Sequence, residues 1–85
     1  MFNLESYKLL DENLQTQLLW IDGVFLMVRK TKKLKAKLFC IYGFYVEVFF
    51  DESNEPVFIN PFEDVKGLKP YLKMINIDEL FENMK

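Results

Sequence analysis

The sequence predicts a single α+β domain over residues 1–85, with an N-terminal helix or helix pair, a four-stranded antiparallel meander and a short C-terminal helical segment. Three observations carry that expectation. Apolar residues recur at helical spacing behind two capping side chains before Asp22. From Val24 onward the period falls to two, in runs rich in β-branched and aromatic residues. Short turn-forming stretches separate those runs at regular intervals.

The elements follow in order. Asn3 is placed to cap a first helix through Leu4, Tyr7 and Leu10. Asp11 is placed to cap a second, ENLQTQLLW, whose Leu14, Leu18 and Leu19 share one face. A single fused helix fits the same spacing. Asp22-Gly23 supplies the stop, with the glycine expected in the left-handed conformation. The strand runs are VFLMVRK, LKAKLFCI, FYVEVFF and PVFIN, and the turns between them are TKK, Tyr42-Gly43 and ESNE. Pro61 is expected to end the sheet. A short helix is expected around Pro70 to Met74, with Pro70 in its first turn, and an acidic helical turn at Asp78 to Phe81.

The hairpin registers agree with one another. Two-residue turns at Lys32-Lys33 and Tyr42-Gly43, and a four-residue turn at ESNE, place one set on one face. That set is Val24, Leu26, Val28, Phe39, Ile41, Phe44, Val46, Val48, Phe50, Val57 and Ile59, with no polar member. A slip of one residue flips every side chain of a strand, so this agreement selects the core face, to be covered by the N-terminal helices.

The opposite face is expected to carry Phe25, Met27, Leu38, Cys40, Tyr45, Phe49 and Phe58, with Arg29, Glu47 and Asp51 among them. A solvated sheet face alternates to polar residues, and this one does not. Left open, it is an apolar patch near the upper end for soluble monomers. Either the C-terminal segment covers it, through Leu68, Tyr71, Leu72, Ile75 and Phe81, or a second copy or protein partner does. The expected partner-binding set is Phe25, Met27, Tyr45, Glu47, Phe49 and Phe58. Glu47 sits mid-strand, where a buried carboxylate needs a partner, and Arg29 is in reach on the same face.

Charge gives a second surface. Residues 29 to 37, RKTKKLKAK, hold six of the eleven basic residues of a chain with net charge −2. Arg29, Lys30, Lys32, Lys33, Lys35 and Lys37 would form a basic hairpin, with Lys30, Lys35 and Lys37 pointing one way and Arg29 the other. Such a ribbon meets phosphates through salt-sensitive contacts, which makes nucleic acid an alternative partner, and an acidic protein partner or an acidic patch of a dimer mate is a further one. The thirteen acidic residues all lie outside the stretch and oppose a polyanion beyond the hairpin. Solvated lysines also protect a hairpin from edge pairing.

Catalytic and metal chemistry find few candidates. The chain has no His and one cysteine, Cys40, so soft-ligand metal sites and an internal disulfide are not expected. Asp51 to Glu55 lacks the spacing and glycine of a calcium loop. The commonest general base is missing, and Gly23, Gly43 and Gly67 form no phosphate loop. No catalytic residue, metal or cofactor is expected. The N-terminus has no signal-peptide character, and no run is long enough to span a membrane, so a cytoplasmic protein is expected.

The segments GFYVEVFFDESNE and GLKPYLKMINIDEL, with LLW-x-x-G-V-F-L before them, resemble a group of small bacterial proteins with no established activity. That group shares a G-F-Y-V-E-V-aromatic-aromatic-D hairpin and an L-x-P-Y-L-x-x-I ending. The resemblance runs from about Leu18 to Leu80 and implies the same fold. The basic run departs from the group, whose corresponding hairpin is mixed or acidic.

The sequence-level reading is thus a non-catalytic protein-interaction, regulatory or inhibitor module, homodimeric, binding through the second apolar face. The alternative is a nucleic-acid binder using the basic hairpin.

Overall fold

Two side-chain caps start the chain. In the computed structural model, which describes residues 2–72, the Ser6 amide donates to Asn3 Oδ1 at 2.8 Å and the Asn3 amide donates to Ser6 Oγ at 3.0 Å. This reciprocal box opens α1 (Leu4–Lys8). Asp11 caps α2 (Glu12–Asp22) by accepting from the Leu14 amide at 2.8 Å. The helices are therefore separate, joined through Leu9 and Leu10. Their contact is polar as well as apolar. The Tyr7 hydroxyl donates to the Gln15 carbonyl at 2.6 Å, and Gln15 Nε2 donates to the Tyr7 and Leu10 carbonyls.

Gly23 ends α2 in an extended conformation (φ −75°), not the left-handed one the sequence led us to expect. Its small size answers a different need. A Cβ there would lie 2.5 Å from the Leu19 carbonyl oxygen, to which the Gly23 amide donates. The face of α2 is also rotated from expectation. Leu19 is buried, Leu18 half-buried and Leu14 exposed, while Gln15 takes the inward position.

Four strands follow as an antiparallel sheet in the order β1-β2-β3-β4: β1 (Val24–Lys30), β2 (Lys35–Ile41), β3 (Phe44–Phe50) and β4 (Pro56–Phe62). The central hairpin has the expected register, with Ile41 opposite Phe44 and Phe39 opposite Val46. Tyr42 and Gly43 both have positive φ, 52° and 89°, the signature of the tight turn that matches strand twist.

The outer hairpins each carry a bulge. In β1 the register shifts between Phe25 and Met27, so Phe25, not Leu26, lies opposite Phe39. Val24 pairs with Cys40 instead of Ile41. In β4 the register shifts beside Val57, so Phe50 meets Pro56, whereas Val48 keeps Ile59. The loop runs from Asp51 to Glu55, closed by the Asp51 amide donating to the Glu55 carbonyl at 2.9 Å. Pro61 does not end the sheet. It pairs with Val46 on the edge strand, the place in a sheet where proline is tolerated.

The core lies between the helices and the first sheet face. Leu4, Tyr7 and Leu19 pack on Phe39, Ile41, Phe44, Val46, Val48 and Phe50. Tyr7 and Phe44 are tilted rings 5.2 Å apart. After β4 a 3-10 turn (Val65–Leu68) leads into α3 (Lys69–Leu72), with Pro70 in its first turn as expected. Met74 and the expected turn at Asp78 to Phe81 lie outside the described residues.

Candidate functional site: the second sheet face and the basic hairpin

The second face of the sheet is built around one buried carboxylate. Glu47, in the middle of β3, is only 5% exposed. Three side chains from three other elements converge on it. Arg29 of β1 lies 3.4 Å from Oε2, Asn60 Nδ2 of β4 donates to Oε1 at 3.0 Å, and the Tyr71 hydroxyl of α3 donates to Oε2 at 2.6 Å. The sequence pointed to Arg29 as the partner. It gave no reason to single out Asn60, which faces Glu47 because β4 continues past it, or the Tyr71 hydroxyl.

Tyr71 is 1% exposed. Its ring and that of Phe49 take the Arg29 guanidinium between them, with ring centroids 5.3 and 5.6 Å from Cζ. Burial, then its hydrogen bond to the Glu47 carboxylate, raises the phenol pKa well above its usual range. The centre of this face is thus covered by the chain itself. Beyond it, Phe62 stacks on Tyr45 at 5.7 Å, and the turn before α3 lies against Phe62. A Cβ on Gly67 would come 2.5 Å from that ring.

The expected partner-binding residues are accordingly divided. Glu47 is buried and fully engaged. Met27, Tyr45 and Phe49 are half-buried, and Phe58 is exposed at the β4 edge. Phe25 is not on this face. The β1 bulge turns it to the helix side, where its ring packs edge-on against Phe39 at 5.8 Å. Of the C-terminal covering residues expected, Tyr71 is the one shown in place. Leu68 is half-buried and Leu72 exposed, while Ile75 and Phe81 lie outside the described residues.

The bulge has a further effect that sequence spacing did not reveal. Trp20 and Ile21 end α2, and Val24, Phe25 and Leu26 begin β1. All five are exposed, between 46% and 74%. Trp20 packs edge-on against Phe39 at 5.6 Å, from the same side as Phe25. Together they wrap an apolar corner around the edge strand.

The six basic residues separate. Lys30, Lys32 and Lys33 are exposed at the tip of the β1–β2 hairpin. The tip is held by Thr31, whose amide donates to the Leu34 carbonyl at 2.8 Å. Lys35 and Lys37 are half-buried, with the Lys37 ammonium 4.9 Å from the Phe50 ring centroid. Arg29 turns to the other face, as expected, and is held there by Glu47. The tip shares its cleft of about 170 Å³ with Asp51, Glu52 and Asn54 of the β3–β4 loop, which brings acidic groups beside the lysines.

Among the described residues no three His, Cys, Asp or Glu side chains are grouped to hold a metal ion, and no helix is long and apolar enough to cross a membrane. Asp51 Oδ1 is occupied by the amides of Ser53 and Glu55, as in a self-stabilised turn. The chain matches no family model, and no curated protein or solved structure is significantly similar to it.

Proposed function

We propose that the chain is a non-catalytic protein-interaction module, a small regulatory or inhibitory subunit working as a homodimer in the cytoplasm. The observation that carries this reading is the apolar corner of Trp20, Ile21, Val24, Phe25 and Leu26. Large aromatic and aliphatic side chains exposed together mark contact surfaces. The reading keeps Phe25 as a docking residue, moves the docking surface to the β1 edge, and leaves Glu47 a structural role. Kinship with the small bacterial proteins whose hairpin resembles GFYVEVFFD belongs to the same proposal and bears only on the fold.

The test is site-specific photo-cross-linking in cells expressing the chain. A photoreactive side chain at Ile21 or Leu26 is expected to give a defined protein adduct. One at Glu63, exposed after β4, is expected to give none. Absence of any protein adduct from both corner positions overturns the reading.

A second reading, nucleic-acid binding, is favoured by the exposure of Lys30, Lys32 and Lys33 at one hairpin tip. The adjoining Asp51 and Glu52 weigh against it.

A further inference from the structure

We propose that the cleft between the α1–α2 junction and β4 binds an aliphatic primary ammonium ion, with the head group on α2 and the apolar body along β4. β4 is the edge strand opposite β1 in the sheet. The site therefore lies away from the apolar corner and does not depend on the protein-interaction reading.

The cleft has a volume of about 370 Å³. Leu10, Asp11, Glu12 and Gln15 wall it on one side, Ile59 and Pro61 on the other. Its distinguishing group is the Gln15 amide. Gln15 is 5% exposed, and its Oε1 is buried without a donor. The amide cannot turn over to supply one. Nε2 donates to the Tyr7 carbonyl at 2.9 Å and to the Leu10 carbonyl at 3.1 Å, and a flipped amide would set oxygen against both carbonyls. Oxygen and nitrogen diverge from one carbon, so with Nε2 turned to α1 the oxygen is directed off that contact. Gln15 forms part of the cleft wall, which leaves the cleft as the side from which a donor can come. An unmet buried acceptor is costly, and a ligand that supplies the donor recovers that cost.

The surrounding charge sets the sign of the ligand. Asp11 and Glu12 are exposed residues of the cleft wall. Asp11 Oδ1 accepts from the Leu14 amide at 2.8 Å, and the Asp11 carbonyl accepts from the Gln15 amide at 3.0 Å. The N-terminus of α2 is thus already served by its own carboxylate and offers little to an anion. Lys8 is the one cation on the cleft. Among the described residues the only ion pair is Arg29 with Glu47, so Lys8 neutralises neither acid. Two carboxylates and an amide oxygen are acceptors. An ammonium group is the complement, with three donors and no acceptor.

The apolar body has its own place. A second cleft of about 150 Å³ adjoins the first through Glu12 and Ile59, and Val48, Pro56 and Phe58 form its strand side. An alkyl chain whose ammonium lies at Gln15 runs past Ile59 toward Phe58 and buries apolar surface there. A bare metal cation uses none of that surface.

The experiment is a titration of the full chain with n-hexylammonium, followed by nitrogen-15 NMR. Saturable shifts are expected at the Gln15 side-chain amide and at the main-chain amides of Glu12 and Ile59. Hexanol has the same body without the charge, and hexanoate has the opposite charge. Both are expected to bind about tenfold more weakly or worse. Shortening the amine to n-propylammonium is expected to weaken binding about two- to fourfold per methylene removed. The variant combining Asp11→Asn with Glu12→Gln keeps a capping oxygen and removes both charges. It is expected to keep the wild-type spectrum outside the cleft and to bind hexylammonium about three- to tenfold more weakly. Lys8→Ala removes a competing cation and is expected to bind at least as tightly as wild type.

Four results would each overturn the proposal. They are no saturable shift at Gln15, hexanol binding as well as hexylammonium, undiminished binding by the doubly neutralised variant, and binding that emerges only with Lys8→Ala, which would make the chain's own lysine the occupant. The comparison of amine, alcohol and acid uses wild type alone, so it decides the matter even where a variant fails to fold.

Discussion

The Tyr71 hydroxyl donates a 2.6 Å hydrogen bond to Glu47 Oε2, joining residues 24 apart in the chain. This contact explains how a carboxylate sits in the middle of a largely apolar sheet face. A buried carboxylate is tolerated when its lone pairs are met, and Glu47 has Arg29, Asn60 and Tyr71 to meet them. The same contact holds the C-terminal turn and α3 against the sheet. The polar cluster is therefore a fastening between the end of the described chain and its core.

Removing one member of the cluster is expected to cost more than a surface substitution. Tyr71→Phe deletes a hydrogen bond to a charged acceptor and is expected to lower unfolding free energy by about 2 kcal/mol. Glu47→Ala strands the Arg29 guanidinium and is expected to cost about 3 kcal/mol, near the lower end for a broken buried pair because Arg29 keeps some exposure. Glu47→Gln retains an acceptor and is expected to fall between wild type and Glu47→Ala. Urea titration of the set checks the order. Equal stability of Tyr71→Phe and wild type would remove the fastening role.

Alkaline stability follows from two buried phenols. Burial is the largest cause raising the pKa of both Tyr7 and Tyr71 above the ordinary value of 10.0. A raised folded-state pKa means that the unfolded chain releases the proton first as pH climbs. The contribution of these groups is fully present below about pH 10 and is lost as pH rises from there toward their folded-state values. Denaturant midpoints are expected to be flat with respect to these groups up to that pH and to fall beyond it. The variant carrying Tyr7→Phe and Tyr71→Phe is expected to be less stable at neutral pH but to show a shallower alkaline decline. An unchanged slope in that variant would contradict the assignment.

The fold was legible wherever the sequence left one solution. The Asn3 and Asp11 caps and the Tyr42-Gly43 turn each have a short-range signal, and all three form. The bulges had none. In VFLMV both parities are apolar, so exchanging Val24 with Phe25 puts no polar residue in the core and incurs no visible penalty. The same ambiguity hid the second bulge in PVF. Glu47 announced that it needed donors, and Arg29 was legible as one of them. Asn60 and Tyr71 were not, because their positions depend on β4 running through Pro61 and on the chain turning back at Gly67. The exposed corner at Trp20 to Leu26 is a consequence of the first bulge and was hidden with it.

Gly67 gives a prediction specific to that return. Its position against the Phe62 ring leaves no room for a methyl group. Phe62 has little freedom to yield, since it stacks on Tyr45. Gly67→Ala is therefore expected to destabilise the protein by about 1–3 kcal/mol. The effect is expected to centre on the turn and α3, so hydrogen exchange should accelerate there more than in β2 or β3. A uniform change across the sheet would mean that the turn is not a separately fastened unit.

The basic hairpin provides the sharpest separation between the two functional readings. Lys30, Lys32 and Lys33 are free at the tip, but Arg29 is held on the opposite face by Glu47, and Lys37 lies over Phe50. Asp51 and Glu52 stand beside the tip and lower its attraction for phosphates. The expected outcome is that labelled single-stranded and duplex oligonucleotides show no change in fluorescence anisotropy with the protein at low ionic strength. Binding through the hairpin would instead give affinity that falls steeply with salt, with a log–log slope of roughly −0.7 to −0.9 per phosphate neutralised. Replacing Lys32 and Lys33 with Gln would then make that slope shallower by about one to two. That pattern would transfer the function from the apolar corner to the hairpin. Solvated lysines that share their cleft with Asp51 and Glu52 predict its absence.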